Sequence, residues 1–267
     1  MVTSSYSDVL ERIETAIDAA KEVFSQFTPG KIAAEYKSGH DPVTEADRAL
    51  DSLLRATLLR EGEGWLSEES ADDFSRLERE RVWVVDPLDG TREFVEGIPE
   101  FCVSIALVEN GKPVAGGICN PATNEVFLGA AGRGLTYNGM PARASQRTGL
   151  GGAMVLASRS ETKRGEWQKF QNAKFKVQPV GSVAYKLARV AAGLADATFT
   201  LTPKHDWDIA AGAALVLAGG GYIQTLSSTL SFDREQLLID GLIACGLELK
   251  DELQQFLGPY IQPLSKR

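Results

Sequence analysis

An apolar, β-branched run at residues 82–85 ends on a carboxylate, Asp86, and opens into Pro87-Leu88-Asp89-Gly90-Thr91. The run reads as a buried strand. The proline after it lacks a ladder donor, which predicts that the strand stops there. In open α/β sheets, ligand chemistry sits just beyond the carboxyl ends of strands. Two aspartates fixed at such a position repel each other unless a cation lies between them. The alternative is an acidic surface turn, because Asp, Pro and Gly are ordinary turn residues. Two further carboxylate clusters weigh against it. Glu68-Glu69 follows the apolar pair Trp65-Leu66, and Asp206 and Asp208 follow the apolar stretch 196–201. Clusters distant in sequence, each at a strand end, can converge on one edge of a sheet. There they would hold two Mg²⁺ ions against a phosphoryl group.

Composition narrows the class. With 267 residues, 43% of them hydrophobic, the chain can bury a substantial core as one large domain or two. A net charge of −8 argues against nucleic acid as a partner. It leaves room for a small anionic substrate, since a bound metal reverses the local field. The two histidines, His40 and His205, read as polar loop residues, so a zinc site is disfavoured. Oxygen donors dominate, which points to a hard cation such as Mg²⁺. Cys102, Cys119 and Cys245 are widely spaced in apolar stretches, as expected of reduced, buried thiols in a cytoplasmic protein. Residues 1–7 lack the layout of a signal peptide, and no apolar run is long enough for a transmembrane segment.

Periodicity predicts a helix from residue 9 to 27, stopped by Thr28-Pro29-Gly30, and a second from about Thr44 to residue 59. Thr44-Glu45-Ala46-Asp47 fits a capping box. Residues 101–130 read as an antiparallel meander punctuated by Asn110-Gly111-Lys112 and Pro121-Ala122-Thr123-Asn124. Beyond it the pattern alternates. Strands are predicted at 154–157, 175–180, 196–201, 222–226 and 237–245, and helices at 165–172, 183–192, 209–218 and 248–257. Asp208 by itself reads as the N-cap of the 209–218 helix. Trp83 and Trp207 read as packing residues beside the site. The expectation is an α/β fold in α/β/α/β/α layers, with an antiparallel sheet first and a more mixed sheet second. The glycine-rich joint at 147–152 divides it into an N-terminal metal-binding half, residues 1–147, and a C-terminal half, residues 148–267, that completes the site.

Taken together, Glu68-Glu69-Ser70, Asp86-Pro87-Leu88-Asp89-Gly90-Thr91 and Trp207-Asp208-Ile209-Ala210-Ala211-Gly212 carry a specific resemblance. With Thr44-Glu45-Ala46-Asp47 upstream, they make the chain similar to the inositol monophosphatase-like superfamily of metal-dependent, lithium-sensitive phosphatases. The resemblance runs from about residue 13 to 257 and implies the layered α/β/α/β/α sandwich. It implies that Glu68, Asp86 and the carbonyl of Leu88 hold one metal, and that Asp86, Asp89 and Asp208 hold a second. Two or three Mg²⁺ ions are expected, with Mn²⁺ as a substitute and Li⁺ as an inhibitor. It further implies that Thr91 holds the attacking water, Glu68 accepts its proton and Asp47 pairs with Thr91. Gly90 and Thr91 would offer backbone N–H groups to the phosphate. The implied protein is a hydrolase of a small phosphorylated substrate, monomeric or homodimeric.

Within the superfamily, Thr91-Arg92-Glu93-Phe94 resembles the CysQ-like 3′(2′),5′-bisphosphate nucleotidase branch. Inositol-type members carry an acid shortly before the Trp-Asp pair, whereas the segment Thr200-Leu201-Thr202-Pro203-Lys204-His205 has none. Lys204 and His205 suit a second phosphate instead, and Gly181, Ser182, Lys204 and Asp208 are the expected substrate contacts. Ser158-Arg159-Ser160-Glu161 lacks the branch's histidine, and Gly181-Ser182-Val183 stands where the branch has Gly-Ser-Ser. Inositol and sugar phosphates therefore stay open as substrates. A regulatory, partner-binding protein of the same fold is the alternative from another class.

Overall fold

The computed structural model describes residues 6–36, 42–227 and 229–261, so His40 lies outside the described residues. Its frame is the strand Arg81–Asp89, whose alternate side chains enter two different cores. Val82 and Val84 pack on one side, Trp83 and Val85 on the other. Burial of both faces explains why the sequence is continuously apolar there rather than alternating. The strand sits inside a seven-stranded sheet. Its order is Gly64–Ser67, Arg81–Asp89, Cys102–Glu109, Lys112–Asn120, Glu125–Ala130, Gly134–Tyr137 and Met140–Ala142. The meander is antiparallel, but Gly64–Ser67 joins Arg81–Asp89 in parallel. Two corrections follow. The last two strands were not visible as separate runs. The central strand does not stop at Pro87: pairing with the next strand resumes at Asp89–Cys102 after a register shift. Pro87 sits in that irregularity, where a missing donor is tolerated.

One face of this sheet is covered by helices α1 (Ser7–Phe24) and α2 (Glu45–Leu58). Val9, Ile13, Ile17 and Phe24 of α1 meet Leu50, Leu54 and Leu58 of α2 over Trp83 and Val85. Spacings of three and four place them on one stripe. The other face carries α5 (Val183–Ala191) and α6 (Asp206–Ala218), packed on Val82, Val84, Ile118 and Phe127. Beyond those helices lies a five-stranded mixed sheet. Its order is Lys176–Val180, Met154–Ser158, Ala197–Thr200, Leu242–Gly246 and Gly221–Thr225. A third core of Trp167, Phe170, Phe175, Phe199, Leu253 and Leu257 closes its far side, with α7 (Lys250–Leu257). The layers run α/β/α/β/α.

Several boundaries differ from the pattern reading. The turn after Gly90 is helix α3 (Thr91–Glu96). Residues 165–172 hold only the 3₁₀ turn Gln168–Phe170, because the helical turn falls earlier, at α4 (Arg159–Lys163), capped by Ser158. The 237–245 run splits into Leu238–Ile239 and Leu242–Gly246 around Gly241. Asp208 is not the N-cap of α6. His205 is, and Asp208 lies inside the first turn, accepting the His205 N–H at 2.9 Å.

Helix α6 is sandwiched between the two sheets and apolar all round, with small residues where it meets its neighbours. A Cβ at Gly212 would overlap the Leu187 side chain of α5. Gly212→Ala is therefore expected to push α5 and α6 apart and cost about 1–3 kcal/mol of stability. Denaturant unfolding would measure it, and an unchanged midpoint would refute the close packing.

Candidate active site

Asp86 and Asp89 stand at the irregular end of the central strand, and Asp208 in the first turn of α6. One oxygen from each of these carboxylates lies within 4.8 Å of the others. The backbone anchors all three. Asp86 Oδ1 accepts the Leu88 N–H at 3.0 Å. Asp89 Oδ2 accepts Ser182 Oγ at 2.7 Å and the Ala184 N–H at 2.6 Å, and Asp208 Oδ2 accepts the His205 N–H. Burial, together with the charges of Glu68, Asp89 and Asp208, pushes the Asp86 pKa well up. Burial and the charges of Asp89 and Glu68 do the same to Asp208. Asp89 is raised less plainly, because Ser182, Ala184, Lys186 and Lys204 oppose the burial cost. Asp86 Oδ2 is buried with no hydrogen-bond partner. A buried, unpaired carboxylate oxygen among like charges fits a hard divalent cation, and the donor set is all oxygen.

Glu68 lines the same cavity but lies outside the three-carboxylate group. Its turn is tied on both sides: its N–H reaches Val85 O, and Ser67 and Ser70 donate to Asp51 of α2 at 2.6 and 2.8 Å. Asp51 was not singled out from sequence. Its spacing from Asp47 on α2 is the only signal.

Thr91 opens α3. Its hydroxyl has two acceptors in reach, Asp47 Oδ1 at 3.1 Å and Leu88 O at 3.0 Å. Asp47 is itself fixed by the Thr44 N–H at 2.7 Å and Thr44 Oγ at 2.5 Å, the capping box predicted at this helix start. Burial raises its pKa against these bonds. Gly90 has φ +98°, and a Cβ there would lie 2.9 Å from Glu100 O, so only glycine suits this turn.

From the second half come Gly181, Ser182 and Lys204, which line the same cavity of about 540 Å³ with Asp86, Asp89, Thr91 and Asp208. Lys204 pairs at 3.3 Å with Glu161, which is buried and also accepts Thr200 Oγ at 2.5 Å and Trp167 Nε1 at 3.2 Å. The carboxylate beside Lys204 thus comes from α4 and does not itself line the cavity. Only the fold brings it there. Arg164 and Lys186 also line the cavity and were missed, since isolated basic residues carry no pattern. Trp207 stacks on His205 at 4.4 Å in the cavity wall, whereas Trp83 packs away from it and donates to Glu63. The three cysteines are buried and free, and no helix among the described residues is long and apolar enough to cross a membrane.

The model of the inositol monophosphatase family matches residues 5–262. An inositol-1-monophosphatase of Mesorhizobium japonicum is 33% identical over 265 residues, 96% of either chain. An inositol monophosphatase structure from an Anabaena (Nostoc) species superposes with a TM-score of 0.79 at 28% identity, covering 99% of this chain and 100% of the other. CysQ from Bacteroides thetaiotaomicron, a bacterial member of the inositol monophosphatase family, superposes with a TM-score of 0.74 at 27% identity, covering 91% of this chain and 98% of the other.

The raised carboxylates set a pH dependence. They bind protons more tightly in the folded than in the unfolded chain, so their cost is absent below the unfolded pKa. It grows with pH and is complete above the folded values. Asp206, pushed up to about 7 by burial, acts in the same direction. Metal-free protein is expected to melt at lower temperature at about pH 7 than at about pH 5. Mg²⁺ is expected to raise the midpoint more at the higher pH. A metal-free midpoint that rises across this window would contradict the geometry.

Proposed function

This chain belongs to the inositol monophosphatase family, and we propose that it is a Mg²⁺-dependent phosphoric monoester hydrolase that removes the 3′-phosphate of adenosine 3′,5′-bisphosphate. The observation that carries the chemistry is the anchored cluster of Asp86, Asp89 and Asp208, with the unpartnered oxygen of Asp86 inside it. Asp86, Asp89 and Asp208, with Glu68 and the Leu88 carbonyl, would hold the ions; Li⁺ is the expected inhibitor. Bound there, divalent cations supply charge against the phosphoryl oxygens and acidify water.

The chain's own groups do the rest. Thr91 donates its single hydroxyl proton to Asp47 or Leu88 O, which leaves its oxygen to accept a hydrogen bond from the attacking water. Asp47 keeps that hydroxyl in place, and Glu68 accepts the proton the water gives up. The turn at Gly90-Thr91 presents backbone N–H groups to the phosphate. Arg164 and Lys204 line the cavity, which supports a substrate whose leaving group carries a second anion. The similarity to CysQ supports the same branch.

A second reading, hydrolysis of an inositol phosphate, is favoured by the Lys204–Glu161 pair, which already engages the ammonium that a distal phosphate would need. The Mesorhizobium japonicum relative also bears the name inositol-1-monophosphatase. Phosphate release from adenosine 3′,5′-bisphosphate, inositol 1-phosphate and fructose 1,6-bisphosphate with Mg²⁺ separates the two. The bisphosphate reading expects the highest kcat/KM on the nucleotide, and faster turnover of inositol 1-phosphate would overturn it. Asp86→Asn is expected to lower turnover by orders of magnitude on every substrate while the fold persists. A charge-assisted contact from Lys204 to a distal phosphate contributes roughly 1.5–3 kcal/mol. Lys204→Ala should therefore reduce bisphosphate kcat/KM about tenfold to a hundredfold and spare monophosphates. Equal losses on both would place Lys204 in the scaffold.

A further inference from the structure

A buried cation stands behind one of the cluster's carboxylates. Lys186, in the first turn of α5, is 5% exposed. Its ammonium donates to Ser182 O at 2.6 Å and to Val180 O at 3.3 Å. Those carbonyls flank Gly181, whose N–H donates to Glu100 at 2.6 Å. Glu100 comes from the first half of the chain and also receives Arg159. Between these ties Ser182 adopts φ +57° and ψ 128°. A residue with a Cβ occupies that region rarely, and keeps it only where its surroundings over-determine it.

The conformation has a use. It lets Ser182 Oγ accept the Tyr185 N–H at 2.9 Å while donating to Asp89 Oδ2, and it aligns the Ala184 N–H with the same oxygen. Asp89 is therefore oriented from the second half, by a turn that Lys186 holds at both of its carbonyls.

We propose that Lys186 is a positioning residue for the metal site: it locks the 180–182 turn, and the turn fixes Asp89. The inference rests on the reading of Asp89 as a metal ligand. Positioning and bare charge predict opposite signs. A lysine acting only by its charge repels an incoming cation, so its loss would tighten Mg²⁺ binding. A lysine that orients a ligand loosens binding when removed, and groups that hold a metal ligand from outside typically change affinity about 10–100-fold.

The test is calorimetric titration of the full-length, substrate-free protein with Mg²⁺, for the wild type, Lys186→Met, Lys186→Gln and Asp89→Asn. Thermal melts would check that each variant folds. Lys186→Met is expected to bind Mg²⁺ about 10–100-fold more weakly. Lys186→Gln, whose amide can still donate to one carbonyl, should recover part of the loss, which neither charge removal nor lost packing would give. Unchanged or tighter binding in Lys186→Met overturns the inference, as does a glutamine variant no better than the methionine one. If the methionine variant fails to fold, the glutamine variant against wild type decides by the same sign. No binding by the wild type, or full binding by Asp89→Asn, overturns the metal reading and the inference with it. Binding lost in Asp89→Asn but kept in Lys186→Met overturns the inference alone.

Discussion

Mutual repulsion among three anchored carboxylates is the constraint that the rest of the molecule serves. One oxygen from each of Asp86, Asp89 and Asp208 is brought within 4.8 Å of the others by elements more than 100 residues apart in the chain. Left in water, such groups would separate. Here each is tied through one oxygen to backbone N–H groups, so none can turn away. The result is a site whose metal-free form is electrostatically unfavourable and whose geometry is set before any cation arrives. In the proposed hydrolysis, preorganisation of this kind would spare the cost of orienting dipoles as charge develops.

The layers explain how two distant segments meet. The central strand brings Asp86 and Asp89 to the sheet edge with both of its faces buried, so it has no freedom to slip. Helix α6 carries Asp208 between the two sheets, and its alanines and Gly212 allow the backbone approach that places the carboxylate opposite the strand end. Ser182, the N-cap of helix α5, lies beside it, so the two halves share the cluster as well as a core. Ties between the halves recur around the cavity: Asp89 to Ser182 and Ala184, and Glu100 to Arg159 and Gly181.

Much of this was legible in the chain because strand-end carboxylates are a local pattern. The run into Asp86, the Thr44–Asp47 capping box and the acidic pair that opens α6 can each be read within about ten residues. What escaped was non-local. The 3.3 Å pairing of Glu161 with Lys204 joins α4 to a short strand, and no spacing announces it. Lys186 carries no signal in the sequence, and it is buried because its helix turns that face inward. Pro87 misled for a physical reason: a proline ends a regular ladder but is accommodated at a register shift. Asp208 misled for another. An aspartate three residues into a helix and one at its cap both accept backbone N–H bonds at the helix start, and only the position of His205 distinguishes them.

The proposed function requires this cluster to be a divalent-metal site assembled from both halves. Crystals soaked in Mn²⁺ and measured at its absorption edge test it directly. Anomalous peaks are expected bounded by Asp86, Asp89 and Asp208, with the Asp86 oxygen that lacks a protein partner bound to the ion. A well-ordered site with no anomalous peak among these carboxylates, or Mn²⁺ bound only elsewhere, would contradict it.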